Sequence, residues 1–251
     1  MPCLSDIRVA HDPDKWAKAA VPLIHEVGEQ AVQDHGGFLL ALSGGSTPER
    51  LYQTLSSSMY ADRYDWSQTG FFFSDERCVP PGHPDSNFGL ADRTLFRPLK
   101  IRDDQIHRMA GEAPDADQAA RDYERGLRIA AAASSAHRPP MDLILLGLGH
   151  DGHTASLFPG TGAVHEFQRW VTVGHAPSQP SMRLTLTLGV INRASVVVFL
   201  VTGVAKAEIV KRVLEPSNDV DRQLPAALVK PDRGRLIWLL DHDAAMNLSA
   251  R

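Results

Sequence analysis

Short, unbroken runs of apolar residues recur along the chain, and most are followed at once by polar residues or glycine. Such runs, about four to eight residues long, are typical of strands buried on both faces of a parallel sheet. A segment near residue 185 alternates apolar and polar positions instead, which predicts a strand with one exposed face. The predicted strands are residues 38–42, 71–73, 141–148, 170–173, 182–188, 195–201 and 236–240.

Helical spacing of apolar residues separates most of these strands. Asp12 and Pro13 supply an N-cap and a proline at the first helical position, so the first helix is expected to begin there. Pro22 is expected to kink it. The predicted helices are residues 13–35, 50–55, 87–96, 115–133 and 204–214.

This alternation predicts the α/β class, with a mainly parallel sheet flanked by helices. No linker or repeat divides the chain, so residues 1–251 are expected to form a single domain. Ligands of parallel sheets bind at the carboxyl ends of the strands. Polar clusters follow the strands that end near Leu42, Phe73, Leu148 and Val201, and all four are therefore expected at one edge of the sheet.

Composition narrows the class of partner. The 251 residues include 26 basic and 30 acidic side chains, and the net charge of −4 argues against nucleic-acid and membrane-surface partners. The longest apolar run, 196–201, is too short for a membrane span, and no apolar signal segment precedes the first helix. Cys3 and Cys78 make no disulfide framework, which favours reduced thiols in a cytoplasm. A monomer and a weak dimer both fit this sequence.

The cluster after Leu42 has the features of an anion site. Gly44 and Gly45 permit tight turns with uncovered backbone N–H groups, and the spacing of Ser46 and Glu49 predicts a capping box. Free amides at the positive end of a helix dipole attract phosphate. A capped turn without a ligand is the other interpretation, and the segment is not a P-loop because no Gly-Lys-Ser/Thr follows.

Two further clusters contain charged residues. Asp75, Glu76 and Arg77 follow a buried strand, where an arginine can bind phosphate or carboxylate in bidentate fashion, although a surface ion pair has the same pattern. The proline-rich loop 80–87 could form one wall of a pocket. Lys206 opposes the dipole at a helix start, which favours a ligand as the reason for its position.

His153 is the candidate general base, because a neutral imidazole can take a proton from water near neutral pH. Asp151 is placed to orient it, although a packed or capping histidine fits the same pattern. His150 and His153 lack a third ligand at a recognisable spacing, so no metal is expected. Gly147, Gly149 and Gly152 match the dinucleotide pattern only weakly, since Pro159 interrupts the helix that it requires.

Four segments together resemble the glucosamine-6-phosphate isomerase/6-phosphogluconolactonase family: LSGGSTP at 42–48, FSDERCVPP at 73–81, DSN at 85–87 and GLGHDGHTASLFP at 147–159. The resemblance implies a Rossmann-like domain that needs no metal or nucleotide cofactor. It also implies a sugar-phosphate substrate, with hydrolysis of 6-phospho-D-glucono-1,5-lactone to 6-phospho-D-gluconate in the oxidative pentose phosphate pathway. Phe158 stands where the deaminases of the family have glutamate, and Arg77 where they have tyrosine, which favours the lactonase branch.

The resemblance also assigns roles to residues. His153 would take a proton from the attacking water, while Asp75 and Asp151 orient the histidine, the water or sugar hydroxyls. The site predicted to hold the substrate phosphate consists of Ser43, Gly44, Gly45, Ser46, Thr47, Arg183 and Lys206, with Arg77 on phosphate, sugar oxygens or the developing oxyanion. Because the chain is acidic overall, these cations are expected to be concentrated locally.

Three other functions were compatible with parts of the sequence. One is glucosamine-6-phosphate deamination, within the same family. Another is a sugar-phosphate-sensing regulatory domain, although the first predicted strand at residue 38 leaves too little chain ahead of it for a helix-turn-helix unit. The third is a nicotinamide dehydrogenase that uses the glycines at 147, 149 and 152.

Overall fold

The computed structural model describes residues 6–10, 13–132 and 140–249, and a six-stranded parallel sheet lies at its centre. The strands are β1 Asp6–Ala10, β2 Phe38–Leu42, β3 Thr69–Phe73, β4 Asp75–Arg77, β5 Leu143–Leu146, β6 Val171–His175, β7 Met182–Leu186, β8 Val196–Val201 and β9 Arg235–Asp241. The large sheet has the order β1-β9-β8-β5-β2-β3 with every pair parallel. A separate antiparallel sheet has the order β4-β7-β6.

Helices cover both faces of the large sheet. The α-helices of the described residues are α1 Pro13–His35, α2 Ser46–Leu55, α3 Asn87–Ala91, α4 Arg97–Leu99, α5 Ala116–Ala132, α6 Leu188–Ile191, α7 Ala207–Leu214, α8 Asp219–Arg222 and α9 His242–Ala245. Side chains of α1 and α2 pack on one face of the sheet, and those of α5 and α7 pack on the other. The predicted α/β class with a mainly parallel sheet is therefore confirmed.

Strand β8 shows why the unbroken apolar runs predict this fold. Its six residues are all buried. Val197 and Phe199 point to the α5 and α7 side, while Val198 and Leu200 point to the α1 and α2 side. Because successive side chains of a strand point to opposite faces, a strand covered on both faces must be apolar at every position.

The prediction that the first strand begins at residue 38 is wrong. Strand β1 precedes α1 and pairs in parallel with β9, from Asp6 against Ile237 to Ala10 against Asp241. It lies at the edge of the sheet and is mostly exposed, so it lacks the apolar run by which the inner strands are recognised.

The prediction that the alternating segment 182–188 forms a strand with one exposed face is also wrong. Strand β7 ends at Leu186, and every residue after Met182 is buried, including Arg183 and Thr185. Arg183 faces a polar cavity inside the protein, and the Thr185 hydroxyl accepts the Ser156 backbone N–H. The apolar residues of this strand therefore face the core, and its polar residues face a polar interior rather than solvent.

Smaller differences concern the helices. Helix α1 continues through Pro22 as one element, and α2 begins four residues earlier than predicted, at Ser46. Gly45 is its N-cap, with no side-chain capping bond, so the predicted capping box of Ser46 and Glu49 is not formed. The predicted N-cap Asp12, the helix end at residue 133 and Cys3 lie outside the described residues. Within those described, no helix is long and apolar enough to cross a membrane.

We expect Phe199→Ala to lower the free energy of unfolding by about 3–5 kcal/mol, the usual cost of such a cavity. Phe199 is fully buried and stacks on Trp238, with 4.0 Å between the ring centroids. Urea denaturation would measure the change. Phe167→Ala is the matched control, because Phe167 is 71% exposed and its loss should be nearly neutral. Equal effects of the two substitutions would contradict this assignment of the core.

Candidate active site

A polar cavity of about 300 Å³ lies at the carboxyl edge of the large sheet. Residues from all four predicted clusters line it, together with the end of loop 80–87 and part of β7. The predicted site residues in its lining are Ser43, Gly44, Asp75, Arg77, His153, Arg183 and Lys206. The other predicted site residues are not in this lining: Gly45, Ser46 and Thr47 follow Gly44 in the chain, and Asp151 precedes His153 by two residues.

The loop between β2 and α2 presents unused hydrogen-bond donors. Among the described residues, the backbone N–H groups of Gly44, Gly45, Ser46 and Thr47 have no hydrogen-bond partner. The Ser43 hydroxyl is buried and likewise finds no partner there. Gly45 has a φ of 104°, a left-handed conformation that favours glycine. This arrangement is suited to an anion, because free N–H groups meet the positive end of the α2 dipole.

Strand β4 buries two carboxylates that the sequence analysis placed in a polar cluster. Asp75 accepts from the Ser156 hydroxyl at 2.6 Å and from the Asn87 side-chain amide at 3.1 Å. The Asn87 amide also donates to the Asp75 carbonyl at 2.8 Å. No contact between Asp75 and His153 is found in the described structure, so the predicted role of Asp75 in orienting that ring has no geometric support.

Glu76 organises the loop that follows. Its carboxylate accepts the backbone N–H groups of Arg77, Asn87 and Phe88, each at 2.8 Å, and the Ser86 hydroxyl at 3.0 Å. Burial raises the pKa of Glu76, although these four donors oppose the increase. The carboxylate therefore fixes the loop that carries Asn87 into the cavity wall.

Three cations reach the cavity. Arg77 and Arg183 are directly opposite each other on β4 and β7, and Arg183 is only 6% exposed. Burial lowers the pKa of Arg183, and the charge of Arg77 adds to this effect. Lys206 donates to the Leu148 carbonyl at 2.6 Å, and burial lowers its pKa as well.

None of these three cations forms an ion pair with a carboxylate of the described residues. Burial is the main cause that lowers the pKa of Arg183, and the negative charge of Asp75 opposes it. The cavity thus holds an excess of positive charge inside a chain whose net charge is −4, and this arrangement is suited to an anionic ligand.

His153, which lines the cavity, forms a closely bonded pair with Asp151. The Nδ1 atom of His153 lies 2.6 Å from an Asp151 carboxylate oxygen, which also accepts the His153 backbone N–H at 3.1 Å. Because a carboxylate only accepts, the shared proton belongs on Nδ1, and Nε2 of the neutral ring keeps its lone pair. Phe158 packs on the ring with 4.3 Å between centroids.

Gly149 is required by this pair. A Cβ atom at that position would collide with the His153 imidazole and the Asp151 carboxylate. The loop from Gly147 to Gly152 is therefore shaped around the histidine rather than around a dinucleotide. The dinucleotide pattern requires a helix directly after the glycines, but none begins within residues 150–161. The dehydrogenase interpretation therefore loses its support.

Several site residues had no assigned role in the sequence analysis. Asn87 and Ser156 lie in the family-like segments, but both contact Asp75 from distant parts of the chain, which no local spacing can indicate. His150 and Ser178 also line the cavity. In the described part of the chain, no group of three or more His, Cys, Asp or Glu side chains could hold a metal ion.

The pKa of Asp151 provides a direct test of the pair. Burial alone would raise it, but the backbone N–H and the ring of His153 lower it below its ordinary value. The ionised carboxylate therefore stabilises the fold at neutral pH, and this contribution is lost as the pH falls through the lowered pKa. We expect carboxyl NMR titration to give a low pKa that rises in His153→Ala.

His165→Ala is the control for that titration, since His165 is exposed and lies in a different turn. Its effect on the Asp151 pKa should be nil. An Asp151 pKa at its ordinary value in the unmodified protein would show that the pair is not formed.

Comparisons with known proteins agree with the fold and the motifs. The family model for glucosamine-6-phosphate isomerases/6-phosphogluconolactonase matches residues 11–238. A 6-phosphogluconolactonase of Synechocystis is 42% identical over 87% of this chain and 88% of its own length. A rat 6-phosphogluconolactonase is 38% identical over 97% and 93%, respectively. A solved 6-phosphogluconolactonase from Trypanosoma cruzi superposes with a TM-score of 0.84 at 30% identity, over 100% of this chain and 99% of that one.

Proposed function

The chain belongs to the glucosamine-6-phosphate isomerase/6-phosphogluconolactonase family, and we propose that it hydrolyses 6-phospho-D-glucono-1,5-lactone to 6-phospho-D-gluconate. The observation that carries the proposal is that His153, paired with Asp151, lines the same cavity as three cations without a carboxylate partner among the described residues. A base for water and a site for a phosphate are the two things that this reaction needs. The predicted membership of the family and the assignment as an enzyme are confirmed by the similar proteins.

The proposed chemistry begins at His153. Its Nε2 atom removes a proton from water while the water oxygen forms a bond to C1 of the lactone, and the carbonyl electrons move to oxygen as an oxyanion. When the oxyanion re-forms the carbonyl, the bond from C1 to the ring oxygen breaks. The imidazolium returns its proton to that ring oxygen, which becomes the C5 hydroxyl of the product. Asp151 keeps the ring oriented and stabilises its positive charge.

The phosphate is proposed to bind at the N-terminus of α2. The free N–H groups of residues 44–47 and the Ser43 hydroxyl supply donors, while Arg183 and Lys206 supply charge. Arg77 lies beside Arg183 and can share the phosphate or contact a sugar oxygen. Asp75 is held by Asn87 and Ser156, so its proposed role narrows to contacts with substrate hydroxyls or water.

Phe158 supports the lactonase over the deaminase. Its ring is in direct contact with His153, at the position where the deaminases of the family carry a glutamate. A phenyl ring cannot exchange protons with a sugar. The proposed enzyme acts as one domain on a small sugar phosphate, and its location in the cytoplasm stays a prediction.

His153→Ala is expected to lower kcat for the phospholactone by about 10²–10⁴, the usual contribution of a positioned acid–base group. The assay couples lactone hydrolysis to 6-phosphogluconate dehydrogenase and subtracts the uncatalysed rate. His165→Ala should retain the turnover of the unmodified protein. Turnover of His153→Ala near that level would exclude the general base, and ammonia release from glucosamine 6-phosphate would instead establish a deaminase.

Arg183→Met should raise KM for the phospholactone by about 10-fold or more, because a hydrogen bond to a charged group contributes roughly 1.5–3 kcal/mol. Kinetics with unphosphorylated glucono-1,5-lactone should change little. Arg97→Met serves as the control, since the Arg97 side chain is 75% exposed. If both lactones were affected alike, Arg183 would not be a phosphate ligand.

A further inference from the structure

The Tyr52 hydroxyl forms hydrogen bonds with both the backbone N–H and the backbone carbonyl of Ser43, at the start of the proposed phosphate site. Its hydroxyl accepts the Ser43 backbone N–H at 3.1 Å and donates to the Ser43 carbonyl at 2.7 Å. Tyr52 lies on α2 and is fully buried. The helix whose N-terminus faces the anion therefore also fixes the residue that leads into it.

These two hydrogen bonds determine which backbone atoms of the loop between β2 and α2 are available to bind a ligand. The Ser43 carbonyl, whose partial negative charge would repel a phosphate, is held against the buried Tyr52 side chain. The Ser43 N–H is used by the same hydroxyl, while the next four N–H groups and the Ser43 hydroxyl have no partner among the described residues. Burial raises the pKa of Tyr52, so its hydroxyl stays protonated and able to donate.

We infer that Tyr52 is a positioning residue for phosphate recognition, acting through the main chain of Ser43 without touching the substrate. This inference rests on the proposed function, because it assumes that the N–H groups of residues 44–47 hold the substrate phosphate. Without the hydroxyl, the Ser43 N–H and carbonyl are buried without these partners, and the two peptide groups that flank Ser43 must rotate to find new ones. That rotation moves the donors that follow.

A second tyrosine makes the same pair of bonds elsewhere and provides a matched control. The hydroxyl of Tyr123, on α5, accepts the Phe73 N–H at 2.7 Å and donates to the Phe73 carbonyl at 3.3 Å. It is also buried, but it holds the end of β3 rather than the α2 loop. Tyr123→Phe thus removes the same chemistry away from the proposed phosphate site.

The test compares Tyr52→Phe with Tyr123→Phe. Both should unfold at a somewhat lower temperature than the unmodified protein. Only Tyr52→Phe is expected to raise KM for the phospholactone and Kd for 6-phosphogluconate, each by about 10-fold. Its kcat, and its kinetics with unphosphorylated glucono-1,5-lactone, should remain unchanged. Equal effects on both lactones, an unchanged KM, or the same KM increase in Tyr123→Phe would overturn the inference.

Hydrogen exchange on the unmodified protein tests the same point without any substitution. The Ser43 amide should be protected in the free protein, whereas the amides of residues 44–47 should exchange rapidly until 6-phosphogluconate is added. Rapid exchange at Ser43 in the free protein would overturn the inference. A protein that does not hydrolyse the phospholactone at all would refute the proposed function instead, and protection at Ser43 would still be measurable.

Discussion

Parallel pairing of the inner strands is the constraint on which the site depends. Strands β2, β3, β5 and β8 run in the same direction, so each ends at the same edge of the sheet. The loops that follow them bring Ser43, Asp75, His153 and Lys206 around one cavity. If one of these strands were reversed, the residue that follows it could not meet the others, because its loop would open at the far edge of the sheet. The parallel pairing of the buried apolar strands therefore determines where these polar side chains lie.

The positive charge concentrated in the cavity lowers the stability of the fold. Burial disfavours the charged form of Arg183, and Arg77 beside it adds repulsion, with no carboxylate of the described residues paired to either. Such an arrangement is tolerated where a ligand supplies the missing charge. The surrounding core offsets the cost, since both faces of the sheet are covered by large buried side chains. A net charge of −4 is therefore a property of the outer surface and says nothing about the ligand.

The sequence predicts the parts of this protein that local patterns encode. Unbroken apolar runs identify the inner strands, and the polar residues after them identify one edge of the sheet. Strand β1 escapes detection because its pairing with β9 joins opposite ends of the chain. In the small sheet, β6 and β7 correspond to predicted strands, but β4 escapes detection because it is only three residues long and is defined by its partner β7. Ser156 reaches Asp75 across 81 residues, a contact that depends on the complete fold.

Tyr52 on α2 and Tyr123 on α5 make the same pair of bonds from opposite faces of the sheet, but only Tyr52 bonds the loop proposed to bind phosphate. Each helix packs on one face of the sheet and reaches the end of a neighbouring strand with a single hydroxyl. The Ser43 carbonyl is next in the chain to the N–H groups proposed to bind phosphate, and its partial negative charge would oppose an anion there. Capturing that carbonyl with a buried donor removes a repulsive dipole and leaves the N–H groups beyond it free. On this inference, helix α2 both covers the sheet and holds a repulsive carbonyl away from the proposed anion site.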